Sequence, residues 1–341
     1  MTARLTDNFV NRAVRRRDET PNVGRMETTA VVAAAYGGPE VLSLIEATLE
    51  DPKPGEVLID VRAAATNPID YKLYSGTYGD DPLKLPMRLG FEAAGVVRSV
   101  GGDVVGPSGP IHPGEEVVVY RAVGAYAGAI VASANDVLAK PSTMNFEEAS
   151  GLMLTGTTAV HALHAASVSA GDTVVLHGGA GGVGLIAVQL AVVDGARVIA
   201  TAGEGQQDLL RSLGAEPVVY GKGLLERIRA LAPDGVDVAI DLVGTDEAGD
   251  VSVALVADHD RIVTIAGFGR AGALGIKAIG GGPGADPGTE IRAAARLELL
   301  RRAEAGALKV FIAASYPLSD VAQAHRELAS GHAHGKIVLV P

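Results

Sequence analysis

Five glycines within seven residues, at positions 178–184, are the strongest sign of chemistry in this sequence. The stretch GAGGVG (residues 179–184) satisfies G-x-G-x-x-G, follows an apolar β-branched run and opens a segment with apolar residues at helical spacing. In that context the first glycine permits a tight turn, the second lets backbone approach a pyrophosphate, and the third lets the helix pack on the strand. Free N–H groups and the dipole at the helix start favour phosphate. The residues predicted to bind a dinucleotide, rather than to form a merely structural turn, are Gly179, Gly181, Gly182, Val183 and Gly184.

The end of the following strand indicates which dinucleotide is preferred. NAD-binding proteins usually place Asp or Glu there, about 20 residues after the glycines, to bind the ribose hydroxyls. Ala202 and Gly203 occupy that place, so no carboxylate repels a 2′-phosphate, which favours NADPH. Because Glu204 follows and no Lys or Arg does, NADH stays an alternative. The nearest candidate partners for a phosphate are Arg211, Tyr220 and Lys222.

The elements that must position this turn alternate along the chain. From residue 144 onward, apolar strands alternate with amphipathic helices, which predicts βαβ units and an α/β fold with a Rossmann-type doubly wound parallel sheet. Two later strands end in DLVG (residues 241–244) and AGFG (residues 266–269), at the carboxyl edge where parallel sheets bind ligands. Ordinary strand-to-loop glycines are the alternative. The further predicted cofactor contacts are Val243, Gly244, Ala266, Gly267 and Phe268.

The first half of the chain has a different pattern. Residues 29–150 contain short β-branched runs separated by Gly and Pro turns, with no long helix, which predicts a compact β-rich barrel. Residues 1–25 contain three consecutive arginines and little apolar periodicity. We expect them to be a disordered extension, or an upstream start ahead of Met26.

Composition excludes several classes of function. The 341-residue chain has a net charge of −11, which argues against a nucleic-acid or anionic-membrane binder. It contains no cysteine, so disulfides, iron–sulfur clusters, cysteine nucleophiles and thiolate zinc sites are excluded. No apolar run reaches the roughly 18 residues of a membrane span, and no signal peptide follows the N-terminus. A cytoplasmic location is therefore expected.

Five motifs together resemble the medium-chain dehydrogenase/reductase superfamily. They are AYGGPEVL (residues 35–42), NPIDYK (67–72), GFEAAGVV (90–97), GGAGGVG (178–184) and GKIVL (335–339). The resemblance extends over residues 26–341 and is strongest to the zinc-free quinone oxidoreductase, or zeta-crystallin-like, branch. It implies a GroES-like β-rich domain (residues 26–150 and 291–341), a Rossmann domain (residues 151–290), a cofactor in the cleft between them, and a homodimer.

The resemblance also implies that zinc is absent. Zinc-dependent members have a Cys where this chain has Asn67 and a His where it has Phe91, and this chain has no cysteine to complete a site. Without that Lewis acid, hydride transfer requires an acceptor that is already electrophilic. The resemblance therefore implies reduction of a quinone or an α,β-unsaturated carbonyl, a small molecule, by NADPH.

Three residues of the NPIDYKLYSGTY segment are candidates for the chemistry. Tyr78 stands where related 2-enoyl thioester reductases carry a proton-donating Tyr, although it could simply cover the pocket. Lys72 stands where related quinone reductases have a Tyr; it could orient a carbonyl or be a solvated loop residue. Asn67 is expected to face the nicotinamide and contact substrate, or else to form a local turn. Asp70 and Glu92 are expected to have structural roles.

Two more cofactor contacts follow from the resemblance. Thr155 lies in LTGTT, which is similar to the segment beside the nicotinamide, and Lys336 lies in GKIVL, which approaches the cofactor in relatives. The main functional hypothesis is an NADPH-dependent quinone or enone reductase. The alternatives are a 2-enoyl thioester reductase and a non-enzymatic NADPH-binding protein.

Overall fold

The structure is a computed structural model, and it describes residues 25–341. The predicted extension therefore lies outside the described residues apart from Arg25, which already belongs to the first strand. Within the described part of the chain, no helix is both long enough and apolar enough to cross a bilayer.

The β-rich part comes first, and its short strands are separated by Gly and Pro turns. Its elements are β1 (Arg25–Ala33), β2 (Leu42–Glu50), β3 (Glu56–Ala65), α1 (Pro68–Tyr74), β4 (Met87–Arg88), β5 (Glu92–Val100), β6 (Val105–Gly106), β7 (Gly109–Pro110), β8 (Glu116–Tyr120), β9 (Ala129–Ser133), β10 (Val137–Ala139) and α2 (Phe146–Ser150).

Helices and strands then alternate. These elements are α3 (Leu152–Ala165), β11 (Thr173–His177), α4 (Gly182–Val193), β12 (Arg197–Ala202), α5 (Gln207–Ser212), β13 (Glu216–Val219), α6 (Leu224–Leu231), β14 (Val238–Asp241), α7 (Asp246–Leu255), β15 (Ile262–Thr264), α8 (Phe268–Leu274), β16 (Lys277–Ala278) and α9 (Thr289–Glu304). The last elements are β17 (Ile312–Pro317), α10 (Val321–Ser330) and β18 (Lys336–Val340).

The alternating elements form a six-stranded parallel sheet in the order β13-β12-β11-β14-β15-β16. This is the doubly wound order of dinucleotide-binding folds, in which the chain changes direction between its first and fourth strands. That switch lies between β11 and β14, so the glycine turn after β11 opens at the edge where ligands bind. The predicted Rossmann-type sheet is confirmed.

The β-rich part forms a seven-stranded sheet in the order β10-β8-β5-β3-β18-β17, with β9 also paired to β3, beside a three-stranded sheet β2-β1-β4. Strand β18 pairs in parallel with β17 and antiparallel with β3, so the end of the described chain completes the first domain. This is the predicted GroES-like domain with its C-terminal return.

The predicted boundary at residue 291 falls near the start of helix α9, and so assigns most of this helix to the β-rich domain. The α9 residues Leu299 and Ala303 are buried in the apolar core that also contains α3 and α4. A Cβ on Gly156 of α3 would lie 2.9 Å from the Leu299 side chain, so the two helices pack closely there. The apolar face of α9 is therefore covered by α3, and the chain joins the β-rich sheet only at β17.

Candidate active site

The glycines of the turn after β11 divide into crowded and open positions. A Cβ on Gly184 would clash with the Gly178 carbonyl oxygen, and one on Gly179 would lie 2.7 Å from the Ala200 side chain. Gly181 differs, because its Cβ would meet only the Gly178 oxygen, at 3.5 Å. Crowding explains why Gly179 and Gly184, where the helix packs on the strand, have no side chain. The open side of Gly181 leaves room for a ligand.

The turn is held in place by the next strand. The Gly178 N–H donates to Thr201 Oγ1 at 3.1 Å, and the Gly179 N–H donates to the Thr201 carbonyl at 2.9 Å. Helix α4 then starts after Gly181, which has no side chain to cap the first N–H groups. These features fit a pyrophosphate, because an uncapped helix start offers N–H donors and a favourable dipole.

Thr155 borders this turn through its methyl group. Its Cγ2 would lie 3.3 Å from a Cβ on Gly182. Its hydroxyl donates instead to the Gly151 carbonyl of its own chain segment, at 2.6 Å. Thr155 therefore borders the glycine turn, and its hydroxyl already has an acceptor; its contact with a cofactor stays a prediction.

One carboxylate and one hydroxyl fix the two loops that follow β14 and β15. Asp241 Oδ1 accepts hydrogen bonds from the N–H groups of Val243 and Gly244, at 3.0 and 2.8 Å. Its Oδ2 accepts the Thr264 hydroxyl at 2.8 Å, and that hydroxyl oxygen accepts the Gly267 N–H at 2.8 Å. Sequence reasoning missed this Asp–Thr pair, although both residues end buried strands.

Of the predicted loop residues, Val243 lies against the glycine turn, and Gly244 and Phe268 pack within and beside their own loops. A Val243 methyl carbon lies 2.5 Å from where a Cβ of Gly178 would be, so Val243 covers the turn. Gly244 has a φ of +75° and no room for a Cβ beside Ala266. The ring of Phe268 packs against Gly282, in the loop between β16 and α9.

His177 is a second residue that sequence reasoning missed. It ends β11 and is paired in register with Asp241 of β14. Burial lowers the pKa of His177 to about 4, although the negative charge of Asp241 acts in the opposite direction and raises that pKa. The imidazole is therefore neutral near pH 7.

Tyr220, which follows β13, lies beside the predicted ribose position at the end of β12, whereas Arg211 does not. The Tyr220 hydroxyl lies 3.8 Å from where a Cβ of Gly203 would be. The Gln207 side chain donates to the carbonyls of Ala202 and Gly203, at 3.3 and 3.2 Å, which fixes the strand end. Arg211 instead pairs with Asp208 of its own helix at 2.7 Å.

A buried ammonium group lies at the centre of the site. Lys336 Nζ donates to Asn67 Oδ1 at 2.6 Å, to the Thr66 carbonyl at 2.9 Å and to Glu92 Oε1 at 3.0 Å. The Lys336 and Glu92 side chains are 4% and 1% exposed. All three ammonium hydrogens of Lys336 therefore have buried acceptors. Lys336 contacts the glycine turn through the methylene groups of its side chain instead, because its Cδ would lie 3.2 Å from a Cβ on Gly182.

Asn67 does not have the free amide that the sequence suggested. Its Nδ2 donates to Glu92 Oε1 at 3.0 Å and to the Ala65 carbonyl at 3.3 Å, and its Oδ1 accepts from Lys336. The residue is only 1% exposed. In this structure Asn67 holds Glu92 and Lys336 in position, because both amide hydrogens already have protein acceptors, and its contact with a substrate carbonyl stays a prediction.

Glu92 links this network to the neighbouring domain. Its Oε1 accepts from Lys336 and Asn67, and its Oε2 accepts the Leu154 N–H at 2.7 Å. Leu154 belongs to α3, so one carboxylate connects β5, β18 and the helix that enters the parallel-sheet domain. This agrees with the structural role expected of Glu92.

Asp70 is buried beneath the same segment. Its Oδ2 accepts the Asn67 N–H and the Tyr126 hydroxyl, both at 2.8 Å, and so caps the start of α1. Its Oδ1 has no partner among the described residues. Burial raises the pKa of Asp70 to about 7, which leaves much of the carboxyl protonated at neutral pH.

Tyr78 and Lys72 retain free polar groups. Both are half-buried, and neither side chain forms a hydrogen bond or ion pair within residues 25–341. Burial lowers the pKa of Lys72, and the proximity of Tyr78 contributes to a raised pKa of Tyr71. Of the three residues predicted for chemistry, these two therefore have groups available to a substrate.

The donor set at this position does not fit zinc. Asn67 is fully engaged, Phe91 has no donor atom, and Lys336 already places a positive charge against Glu92. In the described part of the chain, no three His, Asp or Glu side chains converge as metal ligands.

Comparison with known proteins places the chain in a family. Residues 53–166 match the family model described as alcohol dehydrogenase GroES-like domain, and residues 213–339 match the one described as zinc-binding dehydrogenase. Quinone oxidoreductase from Mus musculus is 32% identical over 338 residues, which cover 93% of this chain and 99% of the mouse protein. 2-Methylene-furan-3-one reductase from Solanum lycopersicum is 32% identical over 325 residues, covering 90% and 77%.

A solved structure supports the same family assignment. Escherichia coli quinone oxidoreductase complexed with NADPH superposes with a TM-score of 0.79 at 28% identity, covering 92% of this chain and all of the other. The chain therefore belongs to the medium-chain dehydrogenase/reductase superfamily. Within it the chain belongs to the quinone oxidoreductase branch, and it is an oxidoreductase.

Proposed function

We propose that this protein is a zinc-independent, NADPH-dependent reductase of quinones or α,β-unsaturated carbonyls, working between its two domains. The observation that carries the proposal is the Lys336 ammonium, which bonds Asn67 and Glu92 where zinc-dependent relatives hold their metal. A second cation there would be repelled, so the acceptor must be electrophilic on its own. The mouse quinone oxidoreductase and the tomato 2-methylene-furan-3-one reductase support the two acceptor classes.

The glycine turn is the proposed site of the cofactor. Gly181 is open on its outer side, and the first N–H groups of α4 would hold the pyrophosphate. Ala202, Gly203 and the Tyr220 hydroxyl would border the ribose, with no carboxylate facing a 2′-phosphate. The E. coli relative in complex with NADPH supports this choice. When bound, NADPH supplies the hydride.

The chain's own side chains orient the acceptor and supply a proton. Asn67, Glu92 and Lys336 fix the floor of the site and its junction with α3. The Tyr78 hydroxyl would donate a hydrogen bond to the acceptor carbonyl, and the Lys72 ammonium would favour negative charge on that oxygen. The proton ends on the reduced oxygen or, in an enone, on the α-carbon.

NADPH oxidation by EDTA-treated protein, with a small quinone and a 2-enal in parallel, tests this function. We expect turnover of at least one acceptor at a rate that EDTA does not change. Loss of activity with EDTA, restored by zinc, would contradict the zinc-independent mechanism. NADPH binding without turnover of either acceptor would favour a thioester substrate or a binding protein.

A homodimer is part of the same proposal, since it follows from the resemblance and from the frequency of two-fold symmetry. Light scattering coupled to gel filtration would test it. A mass near the 34.7 kDa of one chain would contradict it.

A further inference from the structure

A small cavity with basic walls opens between the two domains. Its volume is about 230 Å³, and it lies between the end of β8, at Tyr120 and Arg121, and the segment from Gly280 into α9. Arg292 and Arg296 of α9 complete its lining, and no Asp or Glu of the described residues lines it. The chain as a whole is acidic, with a net charge of −11, so a cavity lined by three arginines is unusual for this molecule.

Arg292 is held in a fixed orientation. Its Nε donates to His161 Nδ1 at 3.3 Å, and its Nη1 donates to the Thr158 hydroxyl at 2.9 Å. Because Nδ1 accepts, the proton of His161 is on Nε2, which donates to Asp286 at 3.3 Å. Arg292 thus donates to neutral acceptors, and the nearby carboxylate of Asp286 acts on it from the far side of His161, beyond ion-pair distance.

The second Arg292 amino group points toward the cavity wall. Its Nη2 lies 3.9 Å from where a Cβ of Gly280 would be, and Gly280 lines the cavity. A guanidinium fixed by neutral groups keeps its positive charge available for an anion.

Arg121 faces the same space from the β-rich domain. It has a φ of +74°, a left-handed conformation rare for a residue with a side chain. Its N–H donates to the Phe91 carbonyl at 2.9 Å, directly before Glu92 of the buried network. The Arg121 side chain is exposed and forms no ion pair within residues 25–341. A strained backbone that presents an unpaired cation beside a reaction site suggests a binding role.

The positive charge of Arg296 is more nearly neutralised by protein groups than the charges of Arg121 and Arg292. Its Nη1 donates to the Asn135 carbonyl at 2.8 Å and lies 3.9 Å from Asp136. The two cations available to a ligand are therefore Arg121 and Arg292, one from each domain.

We propose that this cavity binds an anionic group, a carboxylate or a phosphate, on the electron acceptor, held between Arg121 and Arg292. The proposal rests on the reductase function above and narrows its substrate class to electrophiles that carry a negative charge away from the reacting carbonyl. The Phe91 contact and the Glu92–Tyr120 pairing put the cavity next to the Asn67–Lys336 network. The anion would therefore fix the position of the acceptor without taking part in hydride transfer.

A matched pair of acceptors tests the proposal: a medium-chain 2-enal with an ω-carboxylate, and the methyl ester of the same molecule. Both have the same reacting end, so their kcat/KM ratio reports the charge alone. We expect the wild type to prefer the carboxylate by about tenfold at low salt, as for one charge-assisted contact, and the preference to shrink as salt is added.

The variants are Arg121→Gln and Arg292→Gln. Arg301→Gln is the control, because Arg301 is an exposed residue of α9 that pairs with Glu298.

Each cavity variant should raise KM for the carboxylate about tenfold and leave kcat/KM for the ester within about twofold. Arg301→Gln should change neither value. The same kcat/KM ratio in variants and wild type would overturn the inference, and so would an equal loss on both acceptors in Arg121→Gln. Since Arg121 is exposed, that variant stays informative even if Arg292→Gln fails to fold. A wild type that reduces the ester but shows no charge preference refutes only this inference, whereas a wild type that reduces neither of these enals nor a small quinone refutes the reductase function as well.

Discussion

Tyr78 and Lys72 differ from their neighbours in what their polar atoms contact. Asn67 and Lys336 have buried partners for every polar hydrogen, whereas Tyr78 and Lys72 are half-buried with none among the described residues. A group already bonded to the protein must lose that bond before it can serve a substrate, and this favours the two free groups.

We predict that Tyr78→Phe keeps turnover of quinones and lowers turnover of 2-enals about 100-fold, as expected for loss of a general acid. A reduced quinone is a stabilised oxyanion that water can protonate, whereas an enal needs a hydrogen-bond donor to accept hydride. Steady-state kinetics with both acceptors provides the measurement. Tyr71→Phe, which changes a half-buried neighbour in the same way, is the control. Unchanged enal turnover in Tyr78→Phe would contradict the prediction.

Asp70 should make stability depend on pH. Its folded-state pKa is about 7, against an ordinary value of 3.8. The folded protein therefore keeps this proton to higher pH, so the stabilisation is complete below about pH 4 and is lost as the pH rises to about 7. Asp70→Asn keeps an acceptor for Tyr126 and cannot ionise. It should gain stability relative to the wild type between about pH 4 and pH 7, by at most about 1.4 kcal/mol per pH unit.

Urea unfolding of both proteins across that pH range measures the difference. His177 and His325, whose pKa values burial lowers to about 4, occur in both proteins, so their effects cancel. A constant difference at every pH would show that Asp70 is already ionised in the folded protein.

At the scale of elements, the turn between β11 and α4 combines packing and binding in one short segment. Gly184 and Gly179 are crowded by protein atoms, while Gly181 is open. The three glycines of the motif can therefore be separated by experiment.

We predict that Gly181→Ala changes the free energy of unfolding by less than about 1 kcal/mol, because its backbone suits alanine. The same variant should weaken NADPH binding at least about tenfold, because the new methyl group lies on the open side where backbone would approach the pyrophosphate. Gly184→Ala is the matched comparison. Its Cβ meets the Gly178 carbonyl, so it should lose about 2 kcal/mol or more of stability. Calorimetry of binding and of unfolding would distinguish the two, and unchanged NADPH affinity in Gly181→Ala would contradict the assignment.

The parts of the fold and site that could be predicted are those encoded in neighbouring residues. The glycine turn and the alternation of strands and helices are local patterns, and both appear in the structure. The Asp241–Thr264 pair and the Lys336–Glu92 pair join residues 23 and 244 positions apart. Such contacts exist only once strands are aligned, so the sequence could suggest that Asn67 was important without showing that its amide was occupied. The same reason explains why the packing of α9 could not be predicted. Its apolar residues can be recognised in the sequence, but the sequence does not show that they pack on α3.

For the whole molecule, cofactor binding should stabilise the folded state by mass action. A ligand at about 100 times its dissociation constant adds about 2.7 kcal/mol. We predict a larger rise in melting temperature with NADPH than with the same concentration of NADH, because neither Ala202, the last residue of β12, nor Gly203 has a carboxylate. Thermal unfolding with each cofactor, in EDTA, measures this. An equal or larger shift with NADH would contradict the preference.

The position of β18 has a consequence for how the protein is made. This strand lies between β3 and β17, and the Thr66 hydroxyl donates to the Ile337 carbonyl across 271 residues of sequence. Ribosomes add about 5–20 residues per second, so the nascent first domain waits on the order of tens of seconds for that strand. Throughout that interval the end of β3 is an open edge, and Glu92 has no ammonium partner. The nucleotide-binding domain can form before the first domain is complete, so premature termination after α9 ends at Glu304 and before β18 begins at Lys336 would release a chain with one finished domain and an unpaired sheet edge prone to aggregation.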